Sequence, residues 1–91
     1  MMTQEFASVW DALEPKQSAN MKLRSELMIQ ISEFVEKSGL TQVAASKQLG
    51  VSQPRLNDVL KGRIDKCTVD RLVNMLDAVG YNVELNVFQA A

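Results

Sequence analysis

The sequence predicts a mainly α-helical domain of four to five helices that ends in one β-strand, with that strand paired across a dimer. Three observations carry the expectation. Apolar residues recur at spacings of three and four between Met21 and Lys37, three cap residues each open a short stretch that a glycine closes, and Tyr81 to Phe88 alternates apolar with polar residues.

Each element follows in order along the chain. Phe6, Val9, Trp10 and Leu13 repeat as i, i+3, i+4, i+7, the stripe of a short N-terminal helix or arm, although a segment this short holds a helix only with tertiary support. Trp10 would be its aromatic anchor, on the core or a second subunit, or a hot spot for a partner. Leu23, Leu27, Met28, Ile31, Phe34 and Val35 then paint one face of a long amphipathic helix that stops at Gly39. Its start falls either at Pro15, tolerated in a first turn, or at a cap supplied by Ser18 or Asn20.

Thr41, Ser52 and Thr68 are good N-cap residues, preceded by the apolar Leu40, Val51 and Cys67. They predict helices over 42–49, 53–61 and 69–79, closed by Gly50, Gly62 and Gly80. Val51 stands five positions before Leu56, and Cys67 five before Leu72, the spacing of a hydrophobic staple. Pro54 falls in a first turn, where its missing N–H is harmless. Tyr81, Val83, Leu85 and Val87 alternate with Asn82, Glu84 and Asn86, which predicts a strand. A lone strand leaves its backbone groups unpaired, and the same strand of a second copy would satisfy them, giving a twofold dimer. Folding back on its own helices, or pairing with a different protein, would also do so. The chain thus divides into an arm or short helix at 1–19, a helical domain at 20–80, and a dimerisation strand and tail at 81–91.

Composition narrows the chemistry. The 91 residues contain no histidine and one cysteine, so the usual general bases, nucleophile activators and transition-metal ligands are missing and no internal disulfide can form. This points to a protein that is not an enzyme, has no catalytic residue and needs no metal or cofactor. Glu26, Glu33 and Glu36 lie near Lys22, Arg24 and Lys37 and read as solvated helix pairs. Cys67 reads as a small staple residue, with a redox switch as the alternative. No stretch reads as a membrane span or signal peptide, so a cytoplasmic protein with no membrane partner is expected.

The net charge of −1 hides an uneven distribution. Residues 1–20 and 67–91 each carry −2, and residues 21–40 are neutral. Residues 41–66 set Lys47, Arg55, Lys61, Arg63 and Lys66 against only Asp58 and Asp65, a net of +3. A basic segment in an acidic chain is the pattern of a local phosphate footprint.

That segment contains TQVAASKQLGVSQPRLNDVL, a helix, a tight turn and a second helix. Two helices crossing steeply need small residues at the crossing, here Ala45 and Ser46, a turn residue that accepts positive φ, here Gly50, and core-facing apolar positions, here Val43, Leu49, Leu56 and Val59. A purely structural helical hairpin would share this skeleton. The outward residues distinguish the two. Gln53, Pro54, Arg55, Asn57 and Asp58 would face the bases, with Gln and Asn suited to adenine, Arg to guanine and Asp to cytosine. Thr41, Gln42, Ser52, Lys61, Arg63 and Lys66 would contact the phosphate backbone.

The run LTQVAASKQLGVSQPRLNDVLKG resembles the helix-turn-helix of the Xre, or lambda-repressor-like, family. With WDAL, LRSEL and LVNMLDAVGYNVEL added, nearly the whole chain is similar to the small HigA-type antitoxin-like branch. The resemblance implies a lambda-repressor-like fold and a homodimer that binds a pseudo-palindromic operator on double-stranded DNA. It also implies repression of its own operon, in many cases beside a RelE-like ribonuclease toxin that it neutralises. On the family pattern, Gln53 and Pro54 begin the recognition helix, Lys61 contacts phosphate and Gln42 is the supporting glutamine. Ser46 replaces the usual Ala at the crossing. Two roles stay open: an autonomous repressor, or an antitoxin whose main task is inhibiting such a toxin through the segment with Phe6, Val9, Trp10 and Leu13.

Overall fold

The computed structural model describes residues 15–89. Among them are four α-helices: α1 (Pro15–Ser38), α2 (Gln42–Leu49), α3 (Gln53–Leu60) and α4 (Val69–Ala78), with one 3-10 turn at Ile64–Lys66. The helix runs unbroken through Ser18 and Asn20, so neither of them caps it, and Pro15 is its first described residue. Its 24 residues span about 36 Å, long enough to pack against α4, α3 and the 3-10 turn. The expected short helix around Phe6, Val9, Trp10 and Leu13 lies outside the described residues.

One core joins the helices. Leu27, Met28 and Ile31 of α1 meet Ala45 and Leu49 of α2, Leu56 and Val59 of α3, and Leu72, Met75 and Leu76 of α4. Cys67 joins them, so both expected staple pairs, Val51 with Leu56 and Cys67 with Leu72, belong to this cluster.

Short helices need their ends satisfied, and here each of the three is capped as its sequence requires. Thr41 Oγ1 accepts from the Ala44 amide at 3.1 Å, Ser52 Oγ from the Arg55 amide at 3.3 Å, and Thr68 Oγ1 from the Arg71 amide at 3.3 Å. At the other end of α2, the Gly50 amide donates to Lys47 O and the Val51 amide to Ser46 O, a Schellman closure. α3 closes likewise, Gly62 N–H to Val59 O and Arg63 N–H to Asp58 O. Gly50 and Gly62 have φ of 76° and 73°, and a Cβ on either would meet nothing within 4 Å. The demand for glycine is therefore conformational rather than steric, about 1–2 kcal/mol for another residue.

Two expectations are corrected. Val43 is 48% exposed and not in the core. At about 100° per residue it lies roughly 200° from Ala45, and α2 buries Ala45, Ser46 and Leu49 instead. The second concerns the C-terminal strand: no strand forms at 81–88 among the described residues. A strand exists through a ladder, and every described regular element is helical, so no edge is offered. Tyr81, assigned to the dimer seam with Val83, Leu85 and Val87, turns inward instead. Its amide donates to Leu76 O at 3.0 Å and its ring meets Phe34 edge-on, centroids 6.2 Å apart and planes at 85°. Val83, Leu85 and Val87 remain exposed. Smaller shifts end α3 at Leu60 and α4 at Ala78, because the Schellman turn begins one residue before the glycine.

Candidate nucleic-acid interface

The α2–α3 crossing depends on small buried residues. Ala45 is fully buried, and Ser46 is 4% exposed with its hydroxyl donating to Val43 O at 2.8 Å. Serine fits where alanine would because its one polar atom is satisfied within its own helix.

α3 buries Leu56 and Val59, with Leu60 half-buried beside them. The opposite side, at about 100° per residue, is a ridge of Pro54, Asn57, Asp58 and Lys61, with Gln53 and Arg55 on its two flanks. Gln53, Pro54 and Arg55 are exposed, and Asn57 and Asp58 half-buried. Gln42 of α2 joins Gln53, Pro54 and Asn57 around a shallow open cleft. These two glutamines and an asparagine, drawn from both helices, can each pair with an adenine edge. Arg55 stands on the far flank, outside this cleft.

The phosphate-contact candidates differ in what they have left to give. Thr41 and Ser52 spend their oxygens as cap acceptors, which leaves each hydroxyl hydrogen to donate outward. Pro54 has no N–H and the Arg55 amide is held by Ser52, so of residues 53–55 the Gln53 amide is the donor left without an intrahelical partner. Lys61 and Lys66 are exposed, whereas Arg63 is paired with Asp58: Nη1 donates to Oδ1 at 3.0 Å. Asp58 therefore serves a neighbouring cation as well as facing outward.

The loop carrying these cations is tightly folded. The Ile64 amide donates to Gly62 O at 2.9 Å across Arg63, whose φ of −80° and ψ of 76° make an inverse γ-turn. Arg63 O then accepts from the Lys66 amide at 2.9 Å and from Cys67 Sγ at 3.4 Å. Cys67 is 3% exposed, and its burial, reinforced by the Asp58 carboxylate, raises the thiol pKa above the ordinary 9.0. That favours a packed thiol over a reactive one.

Three residues outside the expected set stand near these candidates or reach their loop. Val43, placed in the core by its apolar character, is exposed beside Gln42 and offers methyl groups suited to thymine. Lys47 is exposed one turn further along α2, and its membership in the basic segment was the available signal. Arg24 reaches the loop from α1, and no local pattern marked it.

Among the described residues, no helix is long and apolar enough to cross a membrane, and no group of His, Cys, Asp or Glu could hold a metal ion. A family model described as a helix-turn-helix domain matches residues 9–88. No curated protein matches the chain.

Proposed function

The chain belongs to the helix-turn-helix domain family, and from that premise we propose that it is a sequence-specific DNA-binding transcriptional regulator, a dimeric autorepressor that reads the major groove with α3. The carrying observation is the cleft of Gln42, Gln53, Pro54 and Asn57, bordered along the chain by Lys61, Arg63 and Lys66. With its side chains an α-helix is about 10–12 Å across, a size that a major groove about 12 Å wide admits. Gln42, Gln53 and Asn57 read base edges, and Arg55 reads from the flank. Lys61, Arg63 and Lys66 anchor phosphates, with Thr41 and Ser52 adding hydroxyl donors.

A second copy fits the charge and the surface. The basic segment carries only +3, so one subunit makes few phosphate contacts and holds DNA weakly. Leu85, Val87 and Phe88 are 80%, 78% and 79% exposed, an apolar tail that a second subunit would cover. Two subunits would then address two half-sites about 34 Å apart. Selection of bound duplexes from a random pool tests this: the expected outcome is an inverted repeat with half-sites one helical turn apart. Recovery of unrelated sequences at all salt concentrations would refute the reading.

A further inference from the structure

α1 lies away from the proposed reading surface, yet one of its side chains reaches the loop after α3. Arg24 Nη1 donates to Ile64 O at 3.0 Å and to Cys67 O at 3.1 Å, across 40 and 43 residues of chain. Its Nε is buried without a hydrogen-bond partner among the described residues. The guanidinium is thus partly desolvated, and two backbone carbonyls are what it receives in exchange.

We propose that Arg24 is the positioning residue of the phosphate-binding loop: it holds Gly62–Cys67 in one conformation, so that Arg63 and Lys66 meet DNA already ordered, without touching DNA itself. The inference rests on the DNA-binding reading above. Three bonds internal to the loop, as described, end on the Gly62 and Arg63 carbonyls. Ile64 O is shared between the Cys67 amide at 3.2 Å and Arg24, whereas Cys67 O is held by Arg24. Arg24 therefore fixes the two carbonyls at either end of the 3-10 turn that carries Asp65 and Lys66. A 3-10 turn of three residues has little cooperative strength of its own, so an outside tether decides its conformation. Ordering the loop backbone beforehand spares binding the entropy of ordering the loop. Lysine is a poor substitute because its ammonium reaches one bond less far and lacks the planar fork.

The test uses the full chain with Arg24→Met and Arg24→Lys, and follows duplex affinity against salt together with amide exchange from Ile64 to Cys67. Helicity and thermal midpoint report whether each variant folds. Each phosphate contact contributes about 0.9 to the salt slope, so Arg24→Met should lower it by about two, for Arg63 and Lys66 together. The Lys66 and Cys67 amides should exchange about tenfold faster, as in a locally opened loop. Arg24→Lys keeps the charge and should resemble Arg24→Met in both respects. It also carries the test if the methionine variant does not fold. Full restoration by lysine would show that Arg24 acts through charge alone, and a loop still protected in both variants would show that it holds nothing; either overturns the proposal. Wild-type protein without salt-dependent DNA binding would instead overturn the functional reading. Wild-type binding with both variants unchanged would overturn the role of Arg24 alone.

Discussion

The Asp58 carboxylate accepts from the Arg63 guanidinium at 3.0 Å, joining a residue on the outer ridge of α3 to the loop that follows it. The same two residues are joined through their backbones, Arg63 N–H to Asp58 O at 2.9 Å, so the side-chain pair is a by-product of the Schellman turn. On the DNA-binding reading proposed above, an acidic residue on this surface would oppose binding, and the pair gives it another role. It would hold a cation close to where phosphate would lie and occupy it until DNA binds.

Asp58→Asn follows from this. The Arg63 side chain is 49% exposed and that of Asp58 24%, so the pair contributes in the range of about 0.2–1 kcal/mol expected of exposed ion pairs. The thermal midpoint should fall by no more than a few degrees. Affinity for random duplex at low salt should rise several-fold, because one negative charge leaves the interface and Arg63 is released. Titration of a labelled random duplex checks this, and weaker binding by the variant would show that the pair assists rather than competes.

Lys61 and Gln53 separate anchoring from reading. Lys61→Ala should weaken binding alike on all sequences and lower the salt slope by about one. Gln53→Ala should leave the slope unaltered, remove roughly 1–3 kcal/mol on the selected site and relax preference at one base pair. Affinities over a salt series, on the selected site and on single-base variants of it, decide between these. Equal slopes and equal preferences in the two variants would contradict the assignment.

Leu56 and Val43 test the corrected packing of the two short helices. Leu56 is 0% exposed, and Leu56→Ala should cost about 2–5 kcal/mol, a large part of the roughly 5–15 kcal/mol that holds a small domain. Val43→Ala should stay within about 0.5 kcal/mol in urea unfolding while weakening DNA binding wherever its methyl groups meet thymine. A core-sized loss of stability at Val43 would restore it to the interior.

Cys67 sets an alkaline limit. Its pKa is raised above 9.0 in the folded protein, first by burial and then by Asp58, so the folded state holds its proton more tightly than the unfolded chain. The stabilisation is complete below the unfolded value and is lost as pH climbs through the folded one. Urea midpoints of the wild type should therefore drop more steeply above about pH 9 than those of Cys67→Ala. Parallel curves would mean that the thiol is as free to ionise in the fold as outside it.

Most of the fold was legible because its signals are local. Thr41, Ser52 and Thr68 cap amides three residues away, and Gly50 and Gly62 close their helices through bonds to carbonyls three to five residues back. Such contacts depend on residue type and spacing, which a linear reading contains. The outward ridge of α3 was legible for a related reason. Once Leu56 and Val59 are assigned inward, helical geometry leaves Gln53, Pro54, Asn57 and Lys61 pointing out. Val43 misled because apolar character alone does not place a residue inside: it stands at the edge of the buried arc of α2, about 60° from Ser46, and is exposed. Tyr81 misled because period-two alternation describes a strand only when a ladder partner exists.

The sequence by itself determined the helices, their caps, the crossing at Ala45 and Ser46, and the concentration of positive charge between Lys47 and Lys66. These rest on interactions within one or two turns of chain, where the partner's identity is set by spacing. Only the tertiary structure decided that Gln42 shares a cleft with Gln53, that Tyr81 packs on Phe34, and that Arg24 reaches Ile64 and Cys67. Each of these joins residues brought together by the packing of helices on a common core. No periodicity encodes such a meeting, because it depends on the angle and register at which whole elements dock.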